Sequence, residues 1–335
     1  MKKKIIILIA IFGVLLLFVS LWVYSSVYIA TGINSQEIIF TIPHGESWRV
    51  ISRRLEESGI IKNSLFFNLY LFVSGDYGSL QAGTYLIGPK LTIPDIVKKI
   101  SSGDVHQRRI TIIEGWKITD MAKYLSELGI ADKKLFLELA NSPHLFKEKY
   151  SFITEDLDNL SLEGYLFPDT YLIPYGSTER EIIEMMLSNF DKKITAELRS
   201  AIASQNKSIF DIIIMASLIE KEVRTYEDMR KVSGLLWRRL EIGMPLQVDA
   251  TIAFITGKNT TRISIQETRI DSPYNTYLHR GLPIAPISNP GINSIKAAIY
   301  PDPNEYLFYL SKPDGETVFS RNLEEHNIAK NKYLR

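Results

Sequence analysis

A chain of 335 residues with 39 basic and 38 acidic side chains has a net charge of +1 and no basic footprint for nucleic acid. It contains no cysteine, which excludes disulfides, thiolate zinc sites and a cysteine nucleophile. The length accommodates a membrane anchor and about two domains, and 45% hydrophobic residues suffice for a sizeable core.

Lys2, Lys3 and Lys4 precede an uncharged run from Ile5 to Tyr24. At about 1.5 Å per residue a helix over that run spans the hydrocarbon core of a bilayer. Trp22 and Tyr24 would sit at the far interface, and the lysine cluster would stay in the cytoplasm. A cleaved signal peptide is the alternative. Against it, the apolar run exceeds the usual length of about 7–15 residues, and Ser20–Val27 offers no small-x-small cleavage site. Residues 1–26 therefore read as the cytoplasmic tip and anchor, and 27–36 as a linker, with everything beyond outside the membrane.

Glu37–Thr41 reads as a strand and Pro43-His44-Gly45 as a turn. Ser47 is placed to cap a helix from Trp48 to Ser58, which Gly59 ends. Ser64–Val73 is a second helix, broken by Gly75. Ala82–Ile87 reads as a strand, and Pro94–Ser101 as a helix entered through Thr92. The stretch PHGESWRVISRRL resembles the LysM module, a βααβ fold that binds glycans containing N-acetylglucosamine. A glycan-binding role and a spacer role both remain open for it. Gly45, Leu55, Gly59 and Ile60 recur seventy residues later as Gly115, Leu125, Gly129 and Ile130, each set behind an apolar strand and near a tryptophan (Trp48, Trp116).

Asn141–Asn159 is polar and reads as a boundary. LEGYLFPDTYLIP, Leu162–Pro174, holds Glu163 and Asp169 among three aromatics and two prolines. It is either a sugar platform or a turn that plugs the core with Tyr165, Phe167 and Tyr171. Thr178–Leu198 reads as one amphipathic helix. Ile212–Val223, IIIMASLIEKEV, reads as a buried or half-buried helix carrying two carboxylates. With Ile219 at the centre of the apolar face and about 100° per residue, Glu222 falls about 60° away, inside the apolar arc, and Glu220 on the flank at about 100°. Glu222 is thus the carboxylate expected to leave water, which raises its pKa toward that of a general acid. A structural pairing with Arg224 or Arg230 is the competing reading.

In LQVDATIAFITG, Gln247, Asp249 and Thr251 share one face if the piece is extended. Alternatively Asp249 caps a helix carrying Ile252–Ile255. Ser272–Gly291, rich in proline and including Tyr274, Asn275 and Tyr277, reads as a stiff surface loop lining a groove, or as an ordinary connection. Ile292–Tyr300 reads as a helix, Tyr306–Leu310 and Thr317–Phe319 as a hairpin, and His326 falls in a terminal helix. The five histidines (His44, His106, His144, His279, His326) show no metal-ligand spacing. No G-x-S-x-G, P-loop or G-x-G-x-x-G occurs. Carboxylate chemistry beside aromatic and amide groups remains, which points to glycoside cleavage.

The segments LEGYLFPDTY, ASLIEKE, MPLQVDATIAF, SPYNTY and GLPIAPISNPG, in this order behind one anchor helix, resemble the YceG family, the MltG-type endolytic murein transglycosylases. The resemblance runs from about Ile38 to the C-terminus. It implies an α+β chain: a single N-terminal transmembrane helix, a LysM-like domain over 37–105, a connecting strand–helix subdomain over 106–155 and an α+β catalytic domain over 156–335. It implies a lyase that cuts MurNAc–GlcNAc bonds of nascent glycan strands, leaves 1,6-anhydroMurNAc ends and needs no metal or organic cofactor. The catalytic acid would be Glu222. In lytic transglycosylases a hydroxyl residue usually follows the acid; here it is Val223, which keeps Glu220 as the alternative. By analogy Glu163, Asp169, Glu220, Gln247, Asp249, Tyr274, Asn275 and Tyr277 would line the substrate groove. The implied place is the cytoplasmic membrane, single-pass, with peptidoglycan synthases and divisome or elongasome proteins as partners and no nucleic acid. A hydrolase on the same glycan, with Asp249 or Glu163 activating water, and a non-catalytic wall-binding scaffold are the rivals.

Overall fold

The computed structural model describes residues 2–30, 36–258 and 263–334, without the side chains of Lys2 and Lys4. The described residues form thirteen α-helices and six strands, an α+β architecture. In chain order these are α1 (Lys2–Tyr28), β1 (Ile38–Ile42), α2 (Trp48–Glu57), α3 (Ser64–Ser74), β2 (Gly83–Ile87), α4 (Ile93–Ser101), β3 (Gln107–Thr111), α5 (Ile118–Glu127) and α6 (Lys133–Ala140). There follow β4 (Thr170–Pro174), α7 (Glu179–Lys193), α8 (Ala196–Ala203), α9 (Ile209–Glu222), α10 (Tyr226–Glu241), α11 (Asp249–Thr256), α12 (Ile292–Ile299), β5 (Phe308–Ser311), β6 (Thr317–Ser320) and α13 (Leu323–Tyr333). The chain divides into two compact units, one of residues 1–109 with 172–177, the other of 110–171 with 178–335.

In the first unit α1 holds an apolar stretch, Ile5–Tyr28, long enough to cross a membrane. The helix reaches Tyr28, into the segment expected as linker, of which 31–35 lie outside the described residues. Beyond it β1 pairs antiparallel with β2, Ile38 opposite Ile87 and Ile42 opposite Gly83. The order between them is strand, helix, helix, strand. Alternation puts Phe40 and Ile42 inward, where they meet Ile51 and Leu55 of α2, Phe67 and Leu71 of α3, and Ile96 and Ile100 of α4. Helix α4 starts in a capping box between Thr92 and Asp95.

The sequence echo is an echo of structure. Gly45 and Gly115 both take positive φ (78° and 76°), as do Gly59 and Gly129 (70° and 66°). The amide of Ile60 donates to Leu55 O at 3.0 Å, and that of Ile130 to Leu125 O at 2.9 Å, so α2 and α5 close in the same way. Thr41 and Thr84 share a hydroxyl hydrogen bond (2.9 Å) across β1–β2; Thr111 and Thr170 share one (3.0 Å) across β3–β4. The second copy carries an insertion, residues 141–169, between its helices and its closing strand.

In the second unit α9 is the central element. Ile212 through Ile219 are all buried, and α9 packs against α10, α11, α12 and α8. Its N-terminus is closed by a capping box between Ser208 and Asp211. Two local expectations are corrected and one open alternative is decided. Thr178–Leu198 is two helices, because Thr195 turns extended and caps α8 through Leu198 N. Of the two readings of the segment around Asp249 the helical one holds: α11 carries Ile252–Ile255, with Val248 rather than Asp249 at the cap position, and Thr251 turns into the core. Asn141–Asn159 buries Phe146, Tyr150, Phe152 and Ile153 inside the second unit, with Phe152 stacked on Tyr165 at 5.8 Å.

Gly164 shows how tightly the motif Leu162–Pro174 is set. Its φ is +91°, and an added Cβ would lie 2.6 Å from Ile213 and 2.7 Å from Pro286. Gly164→Ala combines a disfavoured backbone with overpacking and is expected to destabilise the protein by on the order of 3 kcal/mol. Denaturant unfolding of the variant checks this; an unchanged midpoint would contradict the packing described.

Candidate active site

The buried half of the second unit is knotted around Asn289. Its side-chain oxygen accepts from the amides of Gly164 (2.9 Å) and Leu166 (3.0 Å). Its amide nitrogen donates to Trp116 O (3.0 Å) and to Glu163 Oε1 (2.6 Å), so all four hydrogen-bonding positions of the side chain are used. Its backbone bonds Gly115 N and Trp116 O as well. Glu163 also accepts from Ile118 N, the first amide of α5, at 3.1 Å. Burial pushes the Glu163 carboxyl up to about 8, against the opposing pull of the Ile118 amide. The segment expected as a stiff surface loop runs instead through the core from Ala285 to Pro290. Ser217 of α9 satisfies its backbone there, donating through Oγ to Ile214 O and accepting from Ile287 N.

The open feature of this unit is a cavity of about 1170 Å³, walled by α9, α11, β5 and α13 among others. Glu222, Gln247, Asp249 and Tyr277 line it, together with Tyr309 and Arg239. Glu222 is the last residue of α9. Protein encloses it except toward the cavity, where it remains half-exposed. Tyr309 of β5 donates its hydroxyl to Glu222 Oε2 at 2.8 Å. Burial pushes the Glu222 carboxyl up to about 7; the Tyr309 hydroxyl and the Ala250 amide pull it down, and the charge of Asp249 pushes it up. The negative end of the α9 dipole also disfavours charge there. Among the described residues no arginine forms an ion pair with it, and Arg230 donates instead to Tyr300 O. Asp249, at the start of α11, accepts from the Tyr277 hydroxyl. The cavity thus holds two carboxylates, each bonded to a tyrosine.

Five of the expected groove residues do not line this cavity. Glu163 is 6% exposed and committed to Ile118 and Asn289. Asp169 binds Asn189 (3.0 Å) and Lys193 (3.1 Å). Glu220 accepts from Gly291 N (3.0 Å) and Ser294 Oγ (2.6 Å) and so holds the start of α12. Asn275 is fully buried and donates to Thr268 O and Ile270 O. Tyr274 packs its ring on Phe254 at 4.9 Å. Glu163, Glu220 and Asn275 thus have their polar groups paired inside the scaffold, as burial requires. Beside Asn275, Thr276 accepts from Val248 N, and its carbonyl from Gln247 N, setting Gln247 at φ 52° and turning it toward the cavity. Tyr309 and Arg239 also line the cavity, and no sequence motif singles them out. Tyr309 is one aromatic in a short hairpin; Arg239, on α10, donates to Leu307 O and Leu246 O and braces both β5 and the approach to α11. Among the described residues, no three His, Asp or Glu side chains converge as metal ligands would.

The chain belongs to the YceG-like family, whose model matches residues 40–332. It is 35% identical over 303 residues to a Bacillus subtilis (strain 168) protein named endolytic murein transglycosylase, covering 88% of this chain and 84% of that one. A protein of the same name from Streptococcus pneumoniae serotype 2 (strain D39) is 30% identical over 325 residues; the match covers 88% of this chain and 59% of that longer protein. The crystal structure of a YceG-like protein from Listeria monocytogenes superposes with a TM-score of 0.63 at 32% identity, covering 89% of this chain and all of that one.

Folded-state values raised above 4.5 mean that native Glu163 and Glu222 keep protons the unfolded chain has lost. Stability is therefore expected to fall as pH rises from about 4.5, through about 7 for Glu222 and about 8 for Glu163. Glu222→Gln removes one of these charges, so its stability relative to wild type is expected to be greater at pH 8 than at pH 5. Denaturant midpoints of both proteins across that range check it, parallel curves being the contrary result.

Proposed function

We propose that this chain is a membrane-anchored endolytic murein transglycosylase in which Glu222 acts first as acid and then as base. The observation that carries the reading is Glu222 itself: a carboxyl half-open to a large cavity, its pKa raised by burial to about 7, with no cation among the described residues paired to it. The names of the relatives support the reaction class. Protonated Glu222 donates to the oxygen between N-acetylmuramic acid and N-acetylglucosamine. As that bond breaks, positive charge develops at C1 of the muramyl sugar. The carboxylate then takes the proton of the muramyl C6 hydroxyl, whose oxygen closes on C1. Bonds and protons balance without water, and the product is a 1,6-anhydromuramyl end. Tethering gives the C6 hydroxyl an effective concentration far above that of a stray water.

Each neighbour has a chemical part in this scheme. Tyr309, donating to Glu222 Oε2, helps to orient the carboxyl toward the substrate. Asp249, held by Tyr277, supplies negative potential where the oxocarbenium-like charge forms. Gln247 offers an exposed amide to the acetamido and hydroxyl groups of the strand. Glu220 has its carboxylate engaged by α12, which favours Glu222 as the acid.

For the rest of the chain, α1 is proposed as a single-pass anchor in the cytoplasmic membrane, with the N-terminus inside. Residues 37–105, with their strand–helix–helix–strand order, are proposed as a LysM-like module, 106–155 as a connecting subdomain and 156–335 as the catalytic domain. An enzyme tethered this close to the bilayer would cut strands as they emerge, beside the peptidoglycan synthases and the divisome or elongasome.

Mass spectrometry of glycan strands treated with wild type and Glu222→Gln tests the proposal. Internal anhydro-ended fragments are expected from the wild type, with the rate about 10²–10⁴-fold lower in the variant. Reducing muramyl ends would assign a hydrolase, and equal cleavage by both proteins would move the acid elsewhere. Tyr309→Phe removes a donor that favours the carboxylate, so the alkaline limb of its pH–rate profile, near 7 in wild type, is expected to move upward.

A further inference from the structure

Helix α3 is largely apolar, yet only part of it reaches a core. Phe66, Phe67 and Leu71 are buried among the side chains of the first unit. Leu65, Leu69, Phe72 and Val73 are 62%, 42%, 75% and 76% exposed. Their spacing of four, three and one residues places them on one stripe at about 100° per residue. A contiguous apolar stripe of this kind on an aqueous surface marks something that covers it.

Where the stripe lies says what covers it. The last turns of α1 pack on this same helix. Trp22 meets Phe66 edge to face at 5.1 Å, and Tyr28 meets Tyr70 at 6.5 Å. Val27 is buried in the first unit's core, whereas Ile5 through Leu21 are exposed along their whole length, as a lipid-facing helix is. Trp22, Tyr24 and Tyr28 are the aromatic residues of the outer end of the apolar stretch, where such rings sit at the headgroup level. Six residues of α1 rise about 9 Å, so Phe66 to Tyr70 of α3 stand alongside the belt rather than far above it.

We propose that the stripe Leu65–Leu69–Phe72–Val73 docks into the outer-leaflet interface of the bilayer beside α1. The first unit is then seated on the membrane by two elements, a spanning helix and a short apolar helix lying at the interface. Such helices enter the headgroup and acyl boundary by about 5–10 Å, a depth these side chains can reach. Two attachments hold the unit's orientation to the membrane, where one helix alone would let it swivel. This inference rests on the reading of α1 as a membrane span.

The chain's lack of cysteine allows single labels on the full-length protein. Nitroxides are placed at Val73→Cys, at Leu15→Cys on α1 and at Arg53→Cys on the exposed side of α2, in liposomes of phosphatidylglycerol and phosphatidylethanolamine. Collision rates with oxygen and with a water-soluble nickel chelate are then compared. The oxygen-to-nickel ratio at Val73 is expected to be several-fold above that at Arg53 and to approach that at Leu15. A ratio at Val73 equal to that at Arg53, with Leu15 lipid-exposed, would overturn the docking while leaving the anchor intact. An aqueous Leu15 would overturn the anchor itself. Protection of Val73 from both reagents would assign the stripe to a protein partner, and dipolar broadening between labels to a second copy; either result overturns the lipid assignment.

Discussion

The amide of Asn289 and the carboxyl of Glu163 could not be buried unless three separate stretches of chain met in one register. Asn289 reaches Gly164 and Leu166 on one strand of the knot, Trp116 on another, and Glu163, which in turn holds the first amide of α5. An unpaired polar group at this depth would cost several kcal/mol, so an imperfect arrangement is heavily penalised. Good geometry is the only inexpensive solution. The knot therefore specifies how residues 115–118, 163–166 and 285–290 lie against α9, and α9 carries Glu222.

That placement explains why two carboxylates two residues apart on one helix have different environments. Glu220 points to the start of α12 and meets donors from Gly291 and Ser294. Glu222 points to the cavity and meets one tyrosine, one backbone amide and the charge of Asp249. Both are raised by burial, but of the two it is Glu222 that lines the cavity. A carboxyl that is desolvated, unpaired with a cation and accessible is one able to give up and take back a proton near neutral pH.

The first unit is built on the same local device as the start of the second. A strand, a turn at a positive-φ glycine, a helix closed by Gly-Ile and a second helix occur twice, each returning to its strand through a threonine pair. In the first unit the second helix, α3, spends its extra apolar face beside α1. In the second unit α6 gives way to the inserted stretch 141–169, whose aromatics join Tyr165 and Phe190 in the core.

Read alone, the sequence was sufficient for whatever depends on near neighbours. Glycine and proline positions, capping residues and apolar periodicity placed α2, α3, α4, α9 and α12 and the final hairpin, because these signals act within a turn or two of chain. Helical geometry also separated Glu222 from Glu220, since both lie on one rigid element. Five motifs in order carried the family. Tertiary structure alone decided which polar residues of those motifs face solvent. Glu163 and Asp169 look like site residues in sequence, yet partners that hold them lie well along the chain, Asn289 being 126 positions beyond Glu163 and Asn189 20 beyond Asp169. Tyr309 is 87 positions from Glu222 and carries no local mark of its role. Hydrogen-bond satisfaction and burial are sums over distant neighbours, and a linear pattern holds no record of them until the chain has folded.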